Sequence, residues 1–600
     1  MEGSNRPFSI RFGSAIRSTF MELGDRLGAI WNARERWNTL SDRVSLYVLS
    51  ATLFTHVLIV AVLMTRNAPS GDELAHVGAG AHLWQTGKAW AYSVNPPLTK
   101  LLVAAPLVTT GKPLSLDIDR PHRRVRNDGL FAWMWTQANA GAKRYLILGR
   151  LMLLPIVLLT CWLIYAWTSA LASRTVGLLA AWTWAFLPPV LTWAPIAQPD
   201  FPTTAMFLAA WYAAWRWFVC PTMPRAVVLG MTFGLGLLTK FTFLPAWLLL
   251  VPIAGVHLVR NRQRLAVRQP LLQWAAVGLI PWLLINLGYL TDLQWRRLGD
   301  LHFVSQRLSG GAFDSGNIFR HGPLHPLPIP LPVEYLYGID LQWVDVEHGS
   351  SGFFNGIVVR DTFAWWFYLA VAAVRLPVTA GLVVIVSLVF APLVWFADRS
   401  IRLGWLCTVL PAGALLAVLS SQYQFPGFPR YALPCLPLLW VAGFAMLGRL
   451  FESRPIIVFC IALVVFLESA PTVLSPHRYI NGIARSIKPI DRWLSDQGVT
   501  PDRELWQVAA KIAEQGGGEE ILWWRGPRST AHVPRCNAEA LIDWNELYLQ
   551  GVRSTDSIER SKEYLVSRPD YPAFHGRCME LDARVRPKMI TKSWMLCAVD

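Results

Sequence analysis

The sequence predicts an all-α polytopic membrane protein of about 11 (11–13) transmembrane helices. Three observations predict it. The chain of 600 residues is 53% hydrophobic and only 16% charged, with a mean hydropathy of +0.34, whereas a soluble protein carries a charged fraction nearer about 25%. The apolar excess falls into repeated runs of roughly 18–22 residues, the length that crosses a hydrocarbon core about 30 Å thick. Such runs span as helices, because lipid offers backbone amides no partner. Finally, the basic residues gather between the runs, as the positive-inside rule requires. That placement accounts for the net charge of +16 and excludes a nucleic-acid partner.

Taken in order, residues 1–44 form a polar segment rich in arginine (Arg6, Arg11, Arg17, Arg26, Arg34, Arg36, Arg43), expected in the cytoplasm. The segment lacks a short n-region and a small-residue cleavage site, so the first span is expected to double as an uncleaved anchor. Spans are expected at about 45–64, 146–170, 175–193, 202–219, 225–239, 241–259, 270–290, 378–397, 404–420, 431–450 and 455–474. With the N-terminus inside, the cytoplasmic loops are Ser173-Arg174, Pro224-Arg225, Arg260 to Arg268, Asp398 to Arg402 and Arg449 to Arg454, all short and basic. The opposite side receives the outer loops 65–145 and 292–377 and the tail. Counting the apolar run 363–376 as a span would place basic loops outside, so it is assigned to the interface or to the first part of a broken span. Segment 98–108 is too short to cross and reads as an interfacial helix. The transmembrane domain thus covers 45–475.

The tail, 476–600, is polar and mixed in charge. PDRELWQVAAKIAEQGGG reads as a helix with a glycine stop, and the tail is long enough for a small α/β or α extracytoplasmic domain. The eight cysteines show no CxxC or CxxxH spacing, which argues against a metal cluster. Five lie in or near apolar runs. Cys536, Cys578 and Cys597 in the tail are odd in number, so at most one disulfide forms there.

Candidate chemistry begins just after the first span, at Gly71-Asp72-Glu73-Leu-Ala-His76. Adjacent carboxylates at a membrane surface suit a general base that takes a proton from an attacking hydroxyl. They equally suit a helix N-cap followed by a first-turn acid. Glu73 and His76 have i, i+3 spacing compatible with two metal ligands, but a third ligand is not in sight, and a satisfied surface histidine is the simpler reading. Asp200, in Gln198-Pro199-Asp200-Phe201-Pro202, falls on the same side as Asp72. It opens an apolar run as an N-cap would, and its prolines mark a turn. Lys100, Arg150, Lys240 and Arg430 also fall near the outer face. One such cation would merely snorkel to the headgroups; four beside acidic loops favour an anionic partner such as a lipid phosphate.

The first outer loop, GDELAHVGAGAHLWQTGKAWAYSVNPPLTKLLVAAPLV, resembles that of the bacterial branch of the protein O-mannosyltransferase and lipid A aminoarabinose transferase superfamily, glycosyltransferases of the GT-C fold. An Asp-Glu pair opens the loop and Pro96-Pro97-Leu98-Thr99-Lys100 follows. Further motifs run in the family's order: Arg150-Leu151, Gln198-Pro199-Asp200, Gly234-Leu-Gly-Leu-Leu-Thr-Lys240, Pro332-Val-Glu-Tyr335-Leu-Tyr-Gly338, Gly352-Phe-Phe-Asn-Gly356, Trp365-Trp-Phe-Tyr368 through Arg375-Leu-Pro377, and Phe428-Pro-Arg430-Tyr431-Ala-Leu-Pro434. The resemblance covers about residues 45–480, and its order is more specific than any single motif.

The resemblance implies sugar transfer from a polyprenyl-phosphate-linked donor to a protein or lipid acceptor hydroxyl, at the periplasmic face of a bacterial cytoplasmic (inner) membrane. Asp72 would be the catalytic base, and Glu73 and Asp200 would shape the site. Lys100, Arg150, Lys240 and Arg430, with Tyr431, would face the lipid phosphate; His76, Asn95 and Tyr335 would line the site. No cofactor is specified, and a divalent metal stays open. The sequence departs from the family where Val94-Asn95 replaces Glu-His before the proline pair, where Arg375 replaces lysine, and where the tail lacks an Asp-Trp-Gly-Gln run. These departures bear on the sugar and the acceptor. The alternative, a transporter or flippase of lipid-linked sugars, predicts mid-span acids and inverted repeats with broken helices; the acids here sit in loops. A non-catalytic scaffold would leave the loop acids and cations unexplained.

Overall fold

A computed structural model of the chain describes residues 42–69, 71–110, 142–261, 268–311, 316–349, 352–355, 357–359, 364–390, 399–421 and 429–487, together with five short strands between 521 and 599. Helix α1 (Asp42–Arg66) has an acid in its first turn and a base in its last, matching the helix dipole. Its buried stripe (Leu49, Thr52, His56, Val60, Leu63) recurs every three to four residues, so one face packs inward. Asp42 pairs with Arg174, and His56 Nδ1 lies 3.0 Å from the Ala185 carbonyl, which ties the start and the middle of α1 to a later helix. Helices α2 (Gly71–Thr86), α3 (Pro97–Thr110) and α4 (Ala142–Leu151) follow. The α4 segment and α5 (Leu154–Leu171) form one apolar span, interrupted where Pro155 restarts the helix.

Ser173 then caps α6 (Arg174–Phe186), its Oγ accepting from the Val176 amide at 3.3 Å. Pro188-Pro189 separate α6 from the short α7 (Pro188–Trp193). Beyond these lie α8 (Asp200–Val219), α9 (Met223–Leu237), α10 (Leu244–Asn261) and α11 (Arg268–Gly288). The second outer loop contains α12 (Gln306–Ser309) and α13 (Val333–His348), and it leads into α14 (Phe367–Arg375), α15 (Val378–Val389), α16 (Arg399–Ser420), α17 (Cys435–Leu450), α18 (Pro455–Ser469) and α19 (Gly482–Ile487). Helices α8 and α17 are buried along nearly their whole length, the mark of central helices. In contrast, α1, α11 and α18 present Phe54, Leu58, Leu279, Leu283, Phe459 and Leu467 outward, as lipid-facing helices do.

Each segment expected to span contains helix among its described residues, residues 391–397 of the 378–397 segment lying outside them. Among the described residues, five helical stretches are long and apolar enough to cross a membrane: Asp42–Arg66, Lys143–Leu171, Leu271–Gly288, Arg399–Ser420 and Pro455–Thr472. These make the chain an integral membrane protein. Met223–Leu237, Phe241–Ile253, Val378–Val389 and Cys435–Leu450 are apolar but shorter. The α8 helix has 20 residues but is rich in Trp, Tyr and Thr, and α6–α7 is broken by its prolines. Length and composition therefore carry five of the eleven expected spans. Within the run 363–376, Phe367–Arg375 form α14, which ends before Pro377 and is separate from α15. Its end is clamped by the segment after α18: Arg375 Nη1 donates to the His477 and Tyr479 carbonyls, each at 2.7 Å.

Two segments between the long apolar helices meet near the start of α2. The α2–α3 pair packs closely because Gly80 lies directly against the Lys100 carbonyl, and on its other side α3 admits Gly149 of α4, whose Cβ would stand 2.5 Å from the Val103 carbonyl. Gly80→Leu is expected to destabilise the fold by about 1–3 kcal/mol through overpacking. Gly278→Leu, where nothing lies within 4 Å, should be neutral, and thermal unfolding in detergent compares them. The segment before α14 packs on the 71–95 segment. Strands β1 (Arg296–Arg297) and β2 (Pro328–Ile329) pair antiparallel. Asp340 of α13 accepts from the amides of Val304 (2.7 Å) and Ser305 (3.1 Å), while Gly338 rests on the Ser93 carbonyl. Leu341 completes a small apolar cluster with Ala75, Ala79, Trp90, Tyr92 and Val94.

A hairpin of β3 (Gly352–Phe354) and β4 (Ile357–Val359) precedes α14. In the tail, β5 (Ile521–Trp524), β6 (Arg553–Thr555), β7 (Lys562–Ser567), β8 (Val585–Met589) and β9 (Trp594–Val599) form a mixed sheet in the order β6-β5-β7-β9-β8. Pairing is parallel around β5 and antiparallel around β9. The helix expected from Pro501 onward lies outside the described residues, as do residues 1–41, the loop 262–267, Cys536 and Cys578.

Candidate functional site

The site is built where α2 begins. The first turn of α2 carries Asp72 and Glu73, whose negative charge suits the positive end of a helix dipole. The two carboxylates diverge. Asp72 is partly accessible, its side chain 22% exposed, whereas Glu73 is fully buried.

Asp72 Oδ2 accepts from Arg430 Nη2 at 2.5 Å, and Oδ1 accepts from the Tyr92 hydroxyl at 3.2 Å. Arg430, in the 3-10 turn Pro429–Ala432 before α17, also donates through Nη1 to Gln198 Oε1 at 2.8 Å. Its Nε stands 3.8 Å from Asp200 Oδ1. Asp200 opens α8 and accepts from Lys240 Nζ at 2.6 Å. Lys240 in turn lies over the Tyr431 ring at 4.1 Å, and Arg430 stands 5.7 Å from the Trp193 ring. Acids and bases thus alternate: Asp72, Arg430, Asp200, Lys240. Charge-assisted bonds of this kind are short and directional, and aromatic faces hold the cations laterally. Segments far apart in the chain meet here because α2, the α7–α8 junction, the α9–α10 junction and the turn before α17 end at the same level.

Glu73 belongs to a different structure. Arg150 clasps it with two bonds, Nε to Oε1 at 2.6 Å and Nη2 to Oε2 at 2.8 Å. The remaining guanidinium protons go to the carbonyls of Met64 (2.7 Å), Asn67 (2.7 Å) and Ala68 (3.2 Å), and Glu73 also accepts from the Ala197 amide at 2.7 Å. All five guanidinium donors are therefore used within the protein. This corrects the expectation that Arg150 faces a lipid phosphate: it holds the end of α1, the start of α2 and the loop before α8 together. Both Glu73 oxygens are thereby engaged, by Arg150 and the Ala197 amide. No three His, Cys, Asp or Glu side chains converge among the described residues.

Lys100 is likewise turned inward, with Nζ on the carbonyls of Tyr92 (3.1 Å) and Ala91 (3.3 Å). Burial lowers its ammonium to about 7, opposed by Glu334. It supports the 91–95 turn and does not stand with Lys240 and Arg430. His76 lies edge-on to the Tyr92 ring, centroids 4.9 Å apart. Burial drives its imidazole well below the usual 6.5, against the pull of Asp72 and with the push of Lys100, Lys240 and Arg430, so it is neutral at pH 7. Asn95 and Tyr335 are buried, and the Asn95 Oδ1 and Tyr335 hydroxyl atoms have no hydrogen-bond partner among the described residues. Tyr335 packs edge-on against Phe241 and Tyr289 at 5.1 and 5.9 Å.

Sequence reasoning missed Tyr92, Trp193 and the role of Gln198. Gln198 stood beside Asp200 in a quoted motif. Nothing in the sequence marked Tyr92, because its importance comes from a backbone angle. Chemically, the arrangement offers one accessible carboxylate beside two cations held almost completely out of water, at 10% and 7% side-chain exposure. It can take a proton on one side and stabilise a developing anion on the other.

No protein-family model and no curated protein matches the sequence. The structure is similar to the crystal structure of ArnT from Cupriavidus metallidurans bound to undecaprenyl phosphate, with a TM-score of 0.41 and 11% identity over 93% of this chain and 98% of that one. It is also similar to that protein in the apo state, with a TM-score of 0.39 and 12% identity over 91% and 97% of the two chains.

Proposed function

We propose that the chain is a glycosyltransferase of the GT-C fold, moving a sugar from a polyprenyl-phosphate-linked donor to a hydroxyl on a protein or lipid acceptor at the extracytoplasmic face of a bacterial inner membrane. The observation that carries this reading is the accessible Asp72 carboxylate set against Arg430, with Lys240 and Asp200 behind it. The motif order from Asp72 to Pro434 supports the reaction class.

In the proposed step Asp72 accepts the proton of the acceptor hydroxyl while that oxygen attacks the sugar's anomeric carbon. The bond between the anomeric carbon and the phosphate oxygen breaks, and its electron pair leaves with the polyprenyl phosphate. Arg430 and Lys240 stabilise that charge, most effectively because they are withdrawn from water. Their partner Asp200 keeps the two cations from repelling each other before donor arrives. Neutral His76 adds no competing positive charge beside Asp72.

The test is transfer by the purified chain in lipid vesicles, supplied with polyprenyl-phosphate-linked mannose, hexosamine or aminoarabinose. Release of polyprenyl phosphate with matching sugar on an acceptor is expected. Movement of intact donor between leaflets without release would replace this reading by the transporter one. A tag at residue 600 that is accessible from the cytoplasmic side would overturn the proposed placement of the tail.

A further inference from the structure

The buried Tyr92 has a feature that packing alone does not explain. Its φ is +46°, in the left-handed region that side chains of its bulk rarely adopt. A turn that needed only this angle would be cheaper with Gly or Asn. Such a conformation persists where the surroundings over-determine it, and they do so here. Lys100 Nζ holds the carbonyls of Ala91 and Tyr92. The next carbonyl, that of Ser93, is pressed against Gly338 of α13. His76 meets the phenol ring edge-on at 4.9 Å and an interplanar angle of 64°, and the ring itself is only 1% exposed. The outcome of these constraints is that the hydroxyl reaches Asp72 Oδ1 at 3.2 Å.

We infer that Tyr92 is a positioning residue for Asp72, held in its left-handed conformation by Lys100. This rests on the reading of Asp72 as the base. Arg430 Nη2 holds the carboxylate at Oδ2. The phenol supplies the second point, on the other oxygen, and fixes the carboxylate plane. The carboxylate stays partly accessible, its side chain 22% exposed, so the clamp orients the base while leaving it open to an acceptor. An anionic donor that draws Arg430 toward its phosphate would leave Tyr92 as the contact that preserves the orientation. Lys100 thus acts at a distance from the reacting atoms, through the backbone of the 91–92 segment.

Among the described residues, the charged and titratable groups around Asp72 are Glu73 and His76 on its own helix, Tyr92 from the 87–96 turn, Arg430 from the turn before α17, Lys240 from the α9–α10 junction and, behind those two cations, Asp200 at the start of α8. A phenol donating to the ionised carboxylate favours that form and lowers its pKa. Tyr92→Phe keeps the ring and the backbone and removes only this donor. The measurement is an infrared pH titration of the carboxyl band of the full chain in lipid, subtracting the spectrum of an Asp72→Asn counterpart. This reads carboxyl rather than imidazole protonation and needs no turnover. The midpoint in Tyr92→Phe is expected about one pH unit above that of the unsubstituted chain. In transfer assays the acidic limb should move up by the same amount, and kcat should fall on the order of tenfold with KM for the donor unchanged.

Lys100→Met and Lys100→Gln remove the same charge, but glutamine retains a donor for the two carbonyls. Lys100→Met should therefore raise the midpoint further than Lys100→Gln does. An unmoved midpoint in Tyr92→Phe, with an unmoved acidic limb, overturns the inference. Equal midpoints in the two Lys100 variants overturn the part assigned to Lys100. A shifted midpoint together with full transfer by Asp72→Asn would instead refute the reading of Asp72 as the base and leave the clamp standing.

Discussion

Asp72→Asn is expected to lower transfer by about a thousandfold, within the range that a positioned general base supplies, while the protein folds and binds donor as before. The geometry gives the reason for both halves. Asparagine keeps the shape of the side chain: its one carbonyl oxygen accepts from Arg430 and its amide nitrogen faces the Tyr92 hydroxyl, which can accept from it, but it takes no proton from an acceptor hydroxyl. Arg430 does not become stranded, since Gln198 and Asp200 remain beside it. Removing one negative charge from a site that must accept a phosphate does not weaken donor binding; it leaves affinity equal or higher. The kinetic signature is therefore a collapse of kcat with KM for the donor unchanged or lowered. Comparison of steady-state transfer with equilibrium binding of the polyprenyl-phosphate donor in lipid checks it. A variant that binds donor poorly but turns over what it binds would move Asp72 from proton acceptor to part of the donor-binding site.

Much of this architecture was legible because its causes are local. A run such as 45–64 has one stable solution in lipid, and α1 occupies it with a single buried stripe. Pro377 marks a break that the helices respect, as proline must, whereas Pro188-Pro189 divide the run expected to span 175–193 into two helices. The placement of Asp72, Asp200, Lys240 and Arg430 at one level followed from counting spans and asking where each loop falls. What stayed hidden was which partner each charge takes. Arg150 and Lys100 looked equivalent to Lys240 and Arg430, since all of them end or adjoin apolar runs. Only the three-dimensional meeting of α1, α2 and α4 shows Arg150 spent on Glu73 and three carbonyls, and only the turn at Tyr92 shows Lys100 facing inward. The positive φ of Tyr92 has no sequence signal, because a tyrosine there contradicts local preference and depends on Lys100 and Gly338 from elsewhere in the chain.

Arg150 and Glu73 yield the opposite experimental pattern from Asp72. Arg150→Met and Glu73→Gln are each expected to destabilise the folded protein by about 3–5 kcal/mol, the cost of leaving one buried charge uncompensated. The site does not admit water as relief: the Arg150 and Glu73 side chains are 1% and 0% exposed. Losing Arg150 also strands the carbonyls of Met64, Asn67 and Ala68, each of which loses a donor. The double variant, with neither charge present, should be more stable than the sum of the single losses, because the buried unpaired ion is gone. The reading in which Arg150 grips the donor phosphate predicts something else: a normally folded Arg150→Met protein with a raised KM and no special relation to Glu73. Thermal unfolding in detergent, run on the two single variants and the double, separates the two accounts without any assay of transfer. Coupling between the substitutions makes this pair the joint on which Asp72 is mounted. Neither side chain touches a reacting atom in the proposed step, so residual activity in these variants should track the folded fraction.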